Sequence, residues 1–177
     1  MLLQALNLHW LEHVPAQNDL CAHGNVLVQI GEETLSDLKG GDWCVSAAAL
    51  YLLCTLTVDH TRTTPVSEHL IPCCGHTMYE QTTSNDVLII GCANGIDWDV
   101  HHQGDDVTLR THSGTEERTT SYRWQELVLQ FADHVADFYA ASDPKIPADV
   151  YEAAGYTAFQ AEWSRRRQMF DYGNTSP

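Results

Sequence analysis

Val87-Leu-Ile-Ile-Gly-Cys-Ala-Asn-Gly-Ile-Asp-Trp-Asp-Val-His-His-Gln-Gly-Asp-Asp-Val-Thr-Leu-Arg-Thr111 is the stretch on which the fold class turns. Apolar runs flank Asn94-Gly95, and both of those residues accept the positive φ of a type I′ turn, the strongest short-range hairpin cue. A second turn pair, Gly104-Asp105, separates Ile96–Gln103 from Val107–Thr111. The runs predict a three-stranded antiparallel meander over about 87–111. In the middle run Ile96, Trp98 and Val100 alternate with Asp97, Asp99 and His101, so one face is apolar and the other carries two carboxylates and an imidazole.

Working outward, Trp43 to Val58 is apolar at nearly every position and follows Asp42, a residue suited to an N-cap; it predicts a helix buried on all sides over about 43–58. Val26 to Ile30, between Gly24-Asn25 and Gly31, reads as a strand. The first 25 residues mix the helical spacing of Leu2, Leu3, Leu6 and Trp10 with Asn7, Pro15 and Asn18, which suits an irregular stretch holding one short helix or strand. Asp59 to Glu80, with Pro65, Pro72 and Gly75, reads as a long loop. Downstream, Ser121 is placed to cap an amphipathic helix from about Tyr122 to Ala141, and Pro144 and Pro147 end it. A last helix carries Tyr156, Phe159 and Trp163 on one stripe and closes on Arg165, Arg166 and Arg167, whose charge suits a helix C-terminus. The expectation is one α+β domain over 1–177. An antiparallel sheet packs against the buried helix and the C-terminal amphipathic helices, with 143–177 as a helical appendage, and the chain is a monomer.

Twenty-four Asp and Glu face nine Lys and Arg, a formal net charge of −15. A phosphate backbone or an anionic lipid surface would be repelled, so neither nucleic acid nor membrane is an expected partner. Residues Met1 to Leu11 lack a basic leading segment and a small-residue cleavage site, and Val45 to Val58 is too short to cross a bilayer. A cytoplasmic location is therefore expected, and the six irregularly placed cysteines are expected to be reduced thiols.

Three groups of residues carry possible chemistry. The segment Cys73-Cys74-Gly75-His76, with His69 upstream, has zinc-binding residue types, and His60 or Cys92 would complete four ligands. Adjacent cysteines diverge in an extended chain, however, so one buried and one near-surface thiol is the plainer expectation and no metal or cofactor is called for. Cys44 stands at the head of the buried helix, where the dipole and free N–H groups lower a thiol pKa, as in papain-like and cell-wall amidase cysteines. A histidine near the meander, His101, His102 or His112, would be its partner, with His101 the one taken forward; a core cysteine beside a capping Asp42 is the competing reading. Lastly, Asp97 and Asp99 with His101 would suit a divalent cation, acid–base chemistry or a solvated face. Together with Asp105, Asp106, Glu116 and Glu117, these carboxylates would also form an acidic patch for a basic protein, the favoured reading. Nucleotide-binding glycine loops, Gly-x-Ser-x-Gly, His-Glu-x-x-His and EF-hand loops do not occur.

The segments Gly41-Asp42-Trp43-Cys44, Cys92-Ala93-Asn94-Gly95-Ile96-Asp97-Trp98 and Ala161-Glu162-Trp163-Ser164-Arg165-Arg166-Arg167, on an acidic α+β chain of this size, resemble bacterial immunity proteins of polymorphic or contact-delivered toxin systems. The resemblance implies a stoichiometric inhibitor of a toxin, most simply a nuclease. Such toxins must be basic to hold nucleic acid, so a negative inhibitor is steered to them. The partner-binding residues expected on this reading are Asp97, Asp99, Asp105, Asp106, Glu116 and Glu117. The alternatives are a Cys44–His101 amidase or peptidase, a metal-dependent hydrolase, and a regulatory protein-binding module.

Overall fold

Residues 1–75 and 77–171 are described by the structure, a computed structural model. Strand β1 (Leu2–His9) pairs antiparallel with β2 (His23–Ile30), which also pairs with β3 (Glu33–Ser36) and β4 (Trp43–Cys44). Leu3 and Ala5 are buried on alternate positions, so the opening leucines obey a period of two rather than the helical spacing they also satisfy. Asn7, at φ 53°, breaks the ladder between Leu6 and His9.

Helix α1 (Val45–Cys54) is shorter than the expected 43–58 but is buried all round, with Tyr51 alone half-buried. Trp43 and Cys44 belong to β4 because they hydrogen-bond to β2, and Cys44 rather than Asp42 occupies the cap position. Asp42 instead meets His9, Oδ2 to Nε2 at 3.1 Å. The helix stops where the hydroxyls of Thr55 and Thr57 donate to the carbonyls of Leu52 and Cys54.

The segment 59–80 holds two short strands, β5 (Ile71–Pro72) and β6 (Thr77–Glu80). They take the partners that the hairpin cue had assigned elsewhere: β6 pairs with β7 (Val87–Ile90), and β5 with β8 (Gly95–Ile96). Asn94-Gly95 is therefore no hairpin turn, and neither residue has a positive φ. Gly95 is needed for close approach, since a Cβ there would lie 2.5 Å from the His69 Cβ and 2.6 Å from the Ile71 carbonyl oxygen.

A three-stranded antiparallel meander is present one strand further on than 87–111. It consists of β9 (Trp98–Gln103), β10 (Asp106–Thr111) and β11 (Glu116–Thr120). Its first turn is the expected Gly104-Asp105, with Gly104 at φ 63°. Trp98, Val100, Val107 and Leu109 form its buried face.

Helix α2 (Ser121–Ala140) is capped by Thr120, whose hydroxyl accepts from the Arg123 N–H at 3.1 Å, and packs a stripe of Trp124, Leu127, Val128, Phe131, Ala132 and Val135 on α1 and β1. Helix α3 (Val150–Gln168) is capped by Asp149, which accepts from the N–H groups of Tyr151 and Glu152 at 2.9 Å. Phe159 and Trp163 enter the same apolar cluster as α1 and α2, which removes the aromatic stripe as a surface for self-association. No helix among the described residues is long and apolar enough to cross a membrane.

Candidate functional site

The meander carboxylates divide by surroundings. Asp97 precedes β9 and does not share the exposed face with Asp99 and His101; its side chain is 9% exposed. Oδ1 accepts from Leu70 N–H at 3.0 Å and from His60 Nε2 at 2.9 Å. His60 Nδ1 accepts from Val66 N–H, so the proton must sit on Nε2 and point at Asp97. The pair pins the 60–70 segment to the meander and has little contact with solvent.

Glu117 is half-buried and engaged by the chain's own backbone and N-terminus. Burial would raise its pKa, but the Gly31 N–H at 2.6 Å and the Met1 ammonium prevail and hold it below the ordinary carboxylate range. Asp106 and Glu116 are exposed or half-exposed, and each is paired with an arginine, Arg118 and Arg110 respectively. Asp105, exposed in the β9–β10 turn, has no side-chain partner among the described residues, and Asp99 is half-buried. The outer face of the meander thus mixes both charge signs, and the expected acidic patch of six is reduced to a rim.

The charge surplus lies elsewhere. Six of the nine cationic side chains are in ion pairs, and Lys145 stacks 2.9 Å from the Trp10 ring centroid. Glu12, Glu32, Asp37, Glu68 and Asp137 are exposed on segments outside the meander, so the surplus is not confined to that face.

Beside this field is an apolar surface that sequence reasoning passed over. Tyr79, Val150 and Tyr151 are 47%, 76% and 78% exposed. Tyr79 and Tyr151 border a hollow of about 240 Å³ together with Asp149 and Glu152, whose carboxylates accept from backbone N–H groups at the start of α3. The available signal was Val150-Tyr151, lying off the Phe159–Trp163 stripe at the start of a helix that the sequence did identify.

Cys44 is the second constellation. Its expected partner His101 lies on the other sheet, 3.7 Å from Asp59, because the meander turns that side chain outward. The imidazole at Cys44 is His23, its cross-strand neighbour, and Asp19 Oδ2 stands 3.7 Å from His23 Nε2. Burial lowers the His23 pKa, but the nearby Asp19 carboxylate, too distant for a good hydrogen bond, and the Cys44 thiolate more than offset it, so the pKa is raised. The Cys44 pKa falls to about 7, since the Cys21 thiol, the Ala47 N–H and the Ser46 hydroxyl stabilise the thiolate against burial. Asp, His and Cys are the residue types of an activated nucleophile, but His23 Nε2 makes no hydrogen bond among the described residues, so the relay is not assembled. In addition, Cys44 is 0% exposed and His23 4%, and Gly75 lies over the sulfur. A substrate cannot reach this thiol while the fold is closed.

Labelling with an electrophilic thiol probe at neutral pH should accordingly modify exposed Cys92 within minutes and spare Cys44 until the chain is unfolded, as peptide mapping would show. Fast native-state labelling of Cys44 would restore the thiol-enzyme reading.

The third constellation is the thiol pair. Cys74 is buried and Cys73 half-buried, yet the two do not diverge: their sulfurs lie with that of Cys92 within 4.8 Å of one another. His69 borders the same cavity as Cys74 and Cys92, and His76 lies outside the described residues.

No protein-family model, no curated protein and no solved structure matches the chain.

Proposed function

We propose that this protein is a stoichiometric inhibitor, of the immunity-protein kind, that neutralises a basic protein toxin, most simply a nuclease. The observation that carries the reading is the disposition of charge. Seven of the nine lysine and arginine side chains are engaged within the molecule, six in ion pairs and Lys145 over the Trp10 ring, while Glu12, Glu32, Asp37, Glu68 and Asp137 are exposed with no cationic partner among the described residues. Such a field accelerates encounter with a cationic partner but does not by itself hold it. Retention needs desolvated anchors, and Tyr79 with Val150 and Tyr151, beside Asp149 and Glu152, is the surface suited to that role. The rim of Asp99, Asp105, Asp106 and Glu116 contributes to steering, whereas Asp97 and Glu117 serve the fold.

The test is binding to a basic nuclease toxin encoded beside this gene. Charge reversal at Asp105 and Glu116 should slow association by about tenfold at low salt and have little effect at high salt. Tyr151→Ala should speed dissociation by roughly 30-fold at any salt. Binding that ignores both ionic strength and Tyr151 would dispose of this reading.

A further inference from the structure

Neither the charge field nor the aromatic surface makes use of Cys73, Cys74 and Cys92. Their convergence is built by backbone contacts between two segments far apart in sequence. Ile71 and Pro72 pair with Ile96 and Gly95, and Cys73 N–H donates to the Asn94 carbonyl at 3.0 Å. Cys92 N–H donates to the Cys74 sulfur at 2.7 Å. Gly91 marks the closest approach, because a Cβ there would lie 2.1 Å from the Cys74 carbonyl oxygen. Gly95 closes the other end against His69. Two glycines and two strand residues therefore press one segment onto the other and leave three sulfurs on a common side.

Thiolates are soft donors, which disfavours calcium and magnesium and favours d¹⁰ ions. Zinc–sulfur bonds of ~2.3 Å set sulfurs roughly 3.8 Å apart in a tetrahedron, close enough to the present spacing for side-chain adjustment alone. The N–H donor to Cys74 would stabilise a bound thiolate. Cys74 and Cys92 also border a cavity of about 420 Å³, which His69 and Glu68 line and which leaves room for a fourth ligand.

We infer that Cys73, Cys74 and Cys92 form a three-thiolate site for one thiophilic d¹⁰ cation of the zinc class, with its fourth coordination position open to this cavity. Binding exchanges thiol protons for the metal and releases them to solvent, and no oxidation state changes.

The experiment is a cadmium titration of the full chain, reduced, metal-free and kept anaerobic, with free metal read by a chelating dye. One cadmium per chain should bind, with a thiolate-to-metal ultraviolet absorption of three-sulfur intensity. Cys73→Ser and Cys92→Ser should each cut that band to about two-thirds and weaken binding at least roughly tenfold. Cys21→Ser, which keeps a donor for the Gly75 carbonyl beside Cys74, should bind within about twofold of the parent. Cys73 and Cys92 are chosen because neither is fully buried, and circular dichroism checks that both variants fold. Absence of the band in the reduced parent, or its persistence at full intensity in both serine variants, would overturn the assignment.

Discussion

Gly155→Ala should push α3 away from the sheet and destabilise the fold rather than strengthen it. In a solvated helix interior, the same exchange stabilises by about 1 kcal/mol, because glycine gives up more backbone entropy than alanine. Here a Cβ would lie 1.9 Å from the Met78 carbonyl oxygen and 2.5 Å from its carbon. Both partners are backbone, so the helix must move away by roughly 1 Å, in a core packed at crystal density. The expected cost is about 3 kcal/mol, the upper part of the overpacking range, and the Phe159 and Trp163 contacts loosen with it. Thermal or urea unfolding of the variant against Thr157→Ala, an exposed position two residues on, checks this. The Thr157 variant should stay within about 0.5 kcal/mol of the parent. An increase in stability for Gly155→Ala would mean that α3 does not sit on β6.

The second large effect is expected at Glu162, a carboxylate 3% exposed. It accepts from Val87 N–H at 2.6 Å and from Arg166 Nε at 2.6 Å, and so joins the first residue of β7 to α3. Glu162→Ala leaves a buried N–H unpaired and a guanidinium 16% exposed without its inner partner. Breaking one side of a buried pair costs about 3–5 kcal/mol, or roughly 10 °C in Tm for a chain of this length. Glu162→Gln keeps an acceptor for Val87 and should lose about half as much. Replacing both partners, with Glu162→Leu and Arg166→Met, should recover part of the loss, because a well-packed apolar pair competes with a buried ion pair. Equal losses for Ala and Gln would show that the charge matters and the Val87 bond does not.

Both residues sit where sequence patterns are silent. The Ala-Glu-Trp-Ser-Arg-Arg-Arg ending signals a helix C-terminus, but nothing in it says that Glu162 is the buried member. Likewise Asp97 alternates with Trp98 like a surface carboxylate, and only the approach of His60, 37 positions away, takes it inside. Asn94-Gly95 carries a strong local turn cue, but the competing partner for its neighbours is the 71–72 segment. That segment wins because Gly91 and Gly95 permit contacts that a turn would forgo. The thiol group is half legible: the cysteines are visible in the sequence, but only the fold shows that the connection between β7 and β8 brings Cys92 to both neighbouring thiols. Cys44 was recognised as a thiol at a helix head, while its imidazole was sought downstream. His23 was missed because β2–β4 pairing depends on a strand of two residues with no periodic signal.

What the amino-acid order determined alone is whatever a single segment expresses by its own period and end groups. This covers the buried α1, the amphipathic α2, the aromatic stripe of α3, the Gly104-Asp105 turn and the large negative charge. What only the tertiary structure decided is which segments meet: the partner of 87–90, the carboxylates that turn inward and the three sulfurs that gather. The physical reason is that a period of 2 or 3.6 is a property of neighbours along the chain. A pairing is chosen instead by close approach between distant backbones, and its trace in the sequence is no more than a missing Cβ at Gly91, Gly95 or Gly155.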